Sequence, residues 1–228
     1  IATLREARGG VEPDPAFAAL IAESSGADSI VAHLREDRRH IKENDLLILK
    51  GILKKRLNLE MSVCPEIVDF ACKLKPFQAT LVPERRQELT TEGGLDILAN
   101  LAKVKITVGK LMREGIRVSI FIDPVKSQIN SALKTGAYAL EFHTGSYANS
   151  RTSKESARKI SQLKLAASFS GRLGFAVFAG HGLNYTNVSA IKKIPEVEEL
   201  NIGHAIISRA VFSGLGNAVR EMKELLRK

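Results

Sequence analysis

The residues best suited to chemistry at neutral pH are few and unevenly placed. Five histidines occur in the 228-residue chain, and each ends an apolar run or stands in the loop after one. His33 ends S-I-V-A-H, His40 closes H-L-R-E-D-R-R-H, His143 ends A-L-E-F-H, His181 follows F-A-V-F-A-G, and His204 follows N-I-G. Two carboxylates lie inside similar runs, Glu60 in L-N-L-E-M and Glu141 in A-L-E-F-H. Imidazoles titrate near neutrality, and burial can bring carboxylates toward the same range, so this set suits repeated proton transfer. Two further clusters suit anions. A-G-H-G-L and N-I-G-H-A could offer backbone amides to a phosphate, with Gly180, Gly182 and Gly203 permitting close approach. Arg35, Arg38, Arg39 and His40 crowd a second loop, which is either an anion site or a solvated charged surface.

Such groups work only if a frame converges them. Short apolar segments alternate with longer amphipathic ones along the chain, a rhythm of βα units. Strands are expected near Ser29–Leu34, Leu57–Ser62, Gln78–Val82, Arg117–Ile122, Tyr138–His143, Phe175–Ala179 and Glu199–Ile202. Asp14-Pro15 reads as an N-cap with proline at the first helical position, and Gly26 as that helix's stop. Further helices are expected near Asn44–Lys54 and Pro65–Lys75. Alternation of this kind implies a parallel sheet, open or closed into a barrel. The absence of G-x-G-x-x-G and G-x-x-x-x-G-K-[ST] disfavours an open nucleotide-binding sheet. The expected fold is therefore a single-domain (β/α)8 TIM-type barrel over residues 1–228, with extra helices. On this reading I-A-T-L-R-E-A-R-G-G is a loop, and a first strand lies upstream of Ile1.

Composition agrees with one sizeable core, at 44% apolar residues,. No run approaches a membrane span, and nothing resembles an export leader, so a soluble protein is expected. Cys64 and Cys72 fit neither a C-x-x-C pair nor a disulfide framework, which suggests a reducing cytoplasm. The net charge of +9 is spread among acids, tryptophan is absent and no nucleic-acid-binding motif occurs, so phosphorylated metabolites are favoured over nucleic acid,.

In a barrel, chemistry sits at the C-terminal strand ends, and alternate side chains face inward. If Leu57, Leu59 and Met61 pack under helices, Asn58 and Glu60 face the interior. Glu141 and His143 face inward where Leu140 and Phe142 face out, and Ser29, Val31 and His33 form the matching set. Two carboxylates and at least two imidazoles would share one cavity.

The segments I-A-T-L-R-E-A-R-G, H-L-R-E-D-R-R-H-I, N-L-E-M, L-V-P-E-R-R-Q-E-L-T-T-E-G-G-L-D, F-I-D, E-F-H-T-G, A-G-H-G-L-N-Y and E-L-N-I-G-H-A-I-I resemble those of the pyridoxine 5′-phosphate synthase family, in its order and spacing. The resemblance implies a cytoplasmic homo-octamer of barrels that needs neither metal nor redox cofactor. It implies condensation of 3-amino-2-oxopropyl phosphate with 1-deoxy-D-xylulose 5-phosphate to pyridoxine 5′-phosphate, phosphate and water, a step of vitamin B6 biosynthesis. It assigns His33 and Glu60 as proton acceptors, His181 as proton donor and Glu141 as transition-state stabiliser. Arg35, His40 and Thr90 would hold the deoxyxylulose phosphate, and Arg8, Gly182, Gly203 and His204 the aminoketone phosphate. Phe178 departs from the family pattern, which has a small polar residue at that inward position. A phosphate-sugar isomerase and a non-catalytic barrel binding phosphorylated metabolites are the competing readings. A Schiff-base aldolase would want an inward lysine, which A-L-E-F-H-T-G does not offer.

Overall fold

A computed structural model describes residues 1–84 and 93–227. The chain runs α1 (Ala2–Arg8), α2 (Pro15–Ser24), β1 (Ser29–Leu34), α3 (Glu43–Ile52), β2 (Arg56–Met61), α4 (Pro65–Leu74), β3 (Gln78–Leu81), α5 (Ile97–Arg113) and β4 (Arg117–Ile122). It continues through α6 (Lys126–Leu133), β5 (Ala139–His143), α7 (Gly145–Ala148), α8 (Ser153–Arg172), β6 (Ala176–Gly180), α9 (Val188–Lys192), β7 (Val197–Asn201), α10 (His204–Ser213) and α11 (Leu215–Leu226). The strands form one parallel sheet in sequence order, each paired with the next. This is the expected α/β TIM-type architecture, built among the described residues from seven strands in which β1 and β7 share no ladder.

The opening segment differs from expectation: Ala2–Arg8 is a helix. Its alanines, leucine and arginines are strong helix formers. Gly9, at φ 62°, takes the left-handed conformation that closes it, and the Gly9 and Gly10 amides reach the Glu6 and Arg5 carbonyls,. Arg5 then anchors the helix, donating to both carboxylate oxygens of Asp45 at 2.7 and 2.8 Å and to the His40 carbonyl at 2.9 Å. At α2 the Asp14 side chain accepts from the Ala16 amide at 2.8 Å, with Pro15 opening the helix as predicted.

The outward strand faces make the core. Leu34, Leu59, Met61, Leu81, Ile120, Ile122, Leu140 and Phe142 are buried beneath helix residues such as Leu46, Ile67, Val104 and Leu111. Cys64 and Cys72 are free thiols packed against this core. The sheet curls, because α11 lies beside α2: Lys223 Nζ meets Asp28 Oδ2 at 2.5 Å, and Arg220 Nη1 donates to Ser25 Oγ at 3.3 Å. Polar side chains fill the enclosed side, where Thr80 Oγ1 donates to Asn58 Oδ1 at 3.0 Å. Among the described residues no helix is long and apolar enough to cross a membrane.

Candidate active site

Strand register brings the first two acid–base candidates together. His33, at the end of β1, lies opposite Glu60 on β2, with 3.7 Å between His33 Nδ1 and Glu60 Oε2. Its Nε2 faces a carboxylate the sequence reading had not singled out, Glu84 Oε1, at 2.9 Å. Glu84 follows β3, and its other oxygen accepts the Glu36 amide at 2.9 Å. Burial pushes the Glu84 carboxyl up, but the His33 and Glu36 hydrogen bonds outweigh it and hold the group below its ordinary value,. Glu84 therefore stays ionised and fixes the His33 ring from one side.

Glu60 behaves oppositely. Burial raises its pKa, and the nearby His33 only partly offsets this. Glu141, inward on β5 and 2% exposed, is raised well above the usual carboxylate range by burial first and by Glu60's charge next. With Glu141 buried and a second, half-buried carboxylate acting on it, the two do not readily ionise together, and Glu141 is the one that keeps its proton,. Asn201, at the end of β7, donates to Glu141 Oε2 at 2.8 Å. Gly180 makes room for this carboxyl, since a Cβ there would stand 2.3 Å from Glu141 Oε1.

His40 sits in the loop after β1, its ring edge-on to His33 with 6.0 Å between centroids. Burial, then the neighbouring His33 and Arg35 charges, lower its pKa to about 4. The ring is thus neutral near pH 7, with Nδ1 accepting the Ile41 amide at 2.8 Å, which places the ring proton on Nε2,. Arg35 is buried and reaches Asp37 at 3.3 Å. Arg38 is paired with Glu43 and Glu66, and Arg39 with Asp37, so acids already offset the charge of this loop.

The remaining candidates lie around β5, β6 and β7. His143 Nδ1 meets Asp123 Oδ1 at 3.0 Å, and its ring contacts His181 edge-on with 4.9 Å between centroids. Burial, then the charge of His143, lower the His181 pKa. Gly182, at φ 79°, follows, and a Cβ there would stand 2.7 Å from the Ala148 side chain. Gly203 is the N-cap of α10 and His204 its first residue, both exposed, with open space around Gly203. α10, which His204 opens, runs for ten residues. Arg8 is exposed on the last turn of α1, outside the hydrogen-bonded cluster. Thr90 lies outside the described residues.

Phe178 does point inward, 4% exposed, as the alternation required. It packs with Ala139 and Ala176, whose small side chains leave room for the ring. Glu84, Asp123 and Asn201 are the members that residue type and alternation had not picked out. Each stands at or just after a strand's C-terminal end, the position that could have flagged them.

Comparison with known proteins bears on the fold and the family. The solved structure of KGPDC from Streptococcus mutans is 14% identical with a TM-score of 0.64, covering 92% of this chain and 90% of that one. Phosphoribosyl anthranilate isomerase from Thermus thermophilus, also 14% identical, gives a TM-score of 0.59 over 92% of this chain and 93% of its own. At that identity they speak to the fold alone. Pyridoxine 5′-phosphate synthase of Geotalea uraniireducens is 52% identical over 227 residues, covering 100% of this chain and 95% of the relative. The enzyme of the same name from Geobacter sulfurreducens is 51% identical over 227 residues, with the same coverage. The family model described as pyridoxal phosphate biosynthesis protein PdxJ matches residues 1–228, and with relatives at half identity across its whole length the chain belongs to that family.

Proposed function

We propose that this chain condenses 3-amino-2-oxopropyl phosphate with 1-deoxy-D-xylulose 5-phosphate, releasing phosphate and water as pyridoxine 5′-phosphate forms. The observation that carries the reading is the His33 ring set between two carboxylates at the strand ends, 3.7 Å from Glu60 and 2.9 Å from Glu84. Joining an amine to a ketone, eliminating phosphate and closing an aromatic ring require several proton transfers at carbon, nitrogen and oxygen. A set of acids and bases with separated proton affinities meets that need.

In this scheme His33 takes a proton first, its ring held by Glu84, and Glu60 serves as second acceptor. Burial that resists ionisation makes Glu60 a stronger base once its proton is gone. Glu141, kept protonated, donates a hydrogen bond where negative charge develops, and Asn201 holds it in place,. His181 delivers a proton to departing oxygen; its lowered pKa makes the imidazolium a stronger acid,. Arg35, His40 and Thr90 hold the deoxyxylulose phosphate. Arg8, Gly182, Gly203 and His204 hold the aminoketone phosphate, the last two at the amide-rich start of α10. Self-association as a homo-octamer and a cytoplasmic location belong to the same reading. So does chemistry by acid–base groups of the chain alone.

Kinetics of His33→Gln, Glu60→Gln and His181→Gln test it, with pyridoxine 5′-phosphate quantified after each turnover period. Each substitution removes one proton carrier and lowers kcat by about 10²–10⁴-fold, with KM for either phosphate changing far less. Variants that retained the parent kcat would defeat the assignment.

A further inference from the structure

His143 and Asp123 have no part in the scheme above, yet the His143 ring stands edge-on to His181 and Asp123 holds His143. Asp123 Oδ1 lies 3.0 Å from His143 Nδ1, and the His143 hydrogen bond is the main reason the carboxyl sits below its usual range. An ionised acceptor at Nδ1 keeps a proton on that nitrogen, so Nε2 is the ring nitrogen turned away from Asp123,. That nitrogen points at the first residue of α7. A Cβ on Gly145 would stand 2.5 Å from His143 Nε2 and 3.1 Å from His181 Cδ2, so both ring edges converge over a residue with no side chain. Phe121 borders both rings, with centroids 5.3 Å from His143 and 6.4 Å from His181.

The backbone around the pair is equally constrained. His181 has φ 75°, a left-handed conformation that a non-glycine residue holds only where the surrounding structure imposes it,. Thr144 is fully buried, and its Oγ1 lies 2.7 Å from the Gly180 carbonyl and 2.6 Å from that of His181. The turns after β5 and β6 are thereby fastened together, and the His181 ring is aimed by its contact with His143.

We propose that His143, anchored by Asp123, is a positioning residue for the synthase reaction: it acts through His181, fixing the ring edge and setting the acidity with which that imidazole gives up its proton. The inference rests on His181 being the proton donor. The edge contact sets the His143 ring and its positive charge, when present, directly against His181, and the Asp123 hydrogen bond fixes where that ring stands,. Among the described residues the titratable groups facing His181 are His143 and, through it, Asp123.

The test uses the full chain with His143→Gln and, because a core-lining substitution could unfold the protein, Asp123→Asn at a half-exposed site. Two quantities are read: the pH profile of kcat, and the titration of the His181 ring followed by nitrogen-15 NMR. The alkaline limb of the profile and the His181 midpoint both move to higher pH in His143→Gln, in step with each other. Both move the same way but less far in Asp123→Asn, and kcat near neutrality falls about 10-fold in each, a loss in the range of a misoriented acid. A uniform fall in kcat with neither the limb nor the midpoint displaced would mean a merely structural role and overturn the proposal. His181→Gln separates this from the underlying reading. Full activity in that variant would remove His181 as donor, whereas an inactive His181→Gln beside an unshifted His143→Gln would overturn the positioning role alone.

Discussion

Glu141 shows how a single residue ties stability to chemistry. A carboxyl buried inside a sheet either keeps its proton or needs a partner for its charge, and here burial and Glu60 favour the proton,. The folded chain thus holds a proton that the unfolded chain releases in the ordinary carboxylate range. By linkage, this contribution is fully present below that range and is lost as pH rises through the raised value. Glu141→Gln has no such titration. Its urea-unfolding stability relative to the parent should therefore improve between about pH 5 and about pH 8, while kcat falls. An equal stability gap at both pH values would mean that Glu141 is not held protonated. Gly180 is the complementary position. Alanine there drives a methyl against Glu141 Oε1 and the Asn201 carbonyl, 2.3 and 3.1 Å from the new atom. Overpacking of this kind costs about 1–3 kcal/mol in denaturant unfolding and displaces the acid from its place. A fully stable, fully active Gly180→Ala would contradict the packing described.

At the scale of elements, what the sequence disclosed was whatever depends on local period. Strand alternation placed Glu60, Glu141, His143 and Phe178 inward, and the structure agrees, because register of two is fixed once one strand face is buried,. The seven strands fall within a few residues of expectation, β7 starting earlier at Val197, where an irregularity in pairing beside Phe178 shifts the register. Contacts between distant segments were not legible in that way. The His33–Glu84 pair spans 51 residues and His143–Asp123 spans 20, and no periodicity links their members. The opening helix escaped because its seven residues are too few to show a period, while its glycines read as loop signals. That helix supplies an element-scale prediction. Arg5 and Asp45 are 11% and 12% exposed and joined by a two-pronged bond, so Arg5→Ala should cost about 1.5–3 kcal/mol in urea unfolding,. It should also free the His40 loop, raising KM for the deoxyxylulose phosphate more than that for the aminoketone. No coupling between Arg5→Ala and Asp45→Ala in a double-mutant cycle would show that the helix is held otherwise.

For the whole molecule, the net charge of +9 and the fold act together, one gathering anions and the other converging acids and bases where they arrive,. Screening should therefore weaken capture of both phosphorylated substrates. kcat/KM is expected to fall several-fold as the Debye length shrinks from about 30 Å at 0.01 M salt to about 8 Å at 0.15 M, with kcat little changed. A salt-independent kcat/KM would assign the basic surface no part in capture. The central claim is the condensation itself, and the direct measurement is to give the purified chain both phosphorylated substrates and follow pyridoxine 5′-phosphate and free phosphate together. The account predicts that both appear in equal amounts, only when both substrates are present, and that the rate of both falls about 10²–10⁴-fold with Glu60→Gln. Tight binding of both substrates without either product would contradict it and leave a barrel that only binds phosphorylated metabolites.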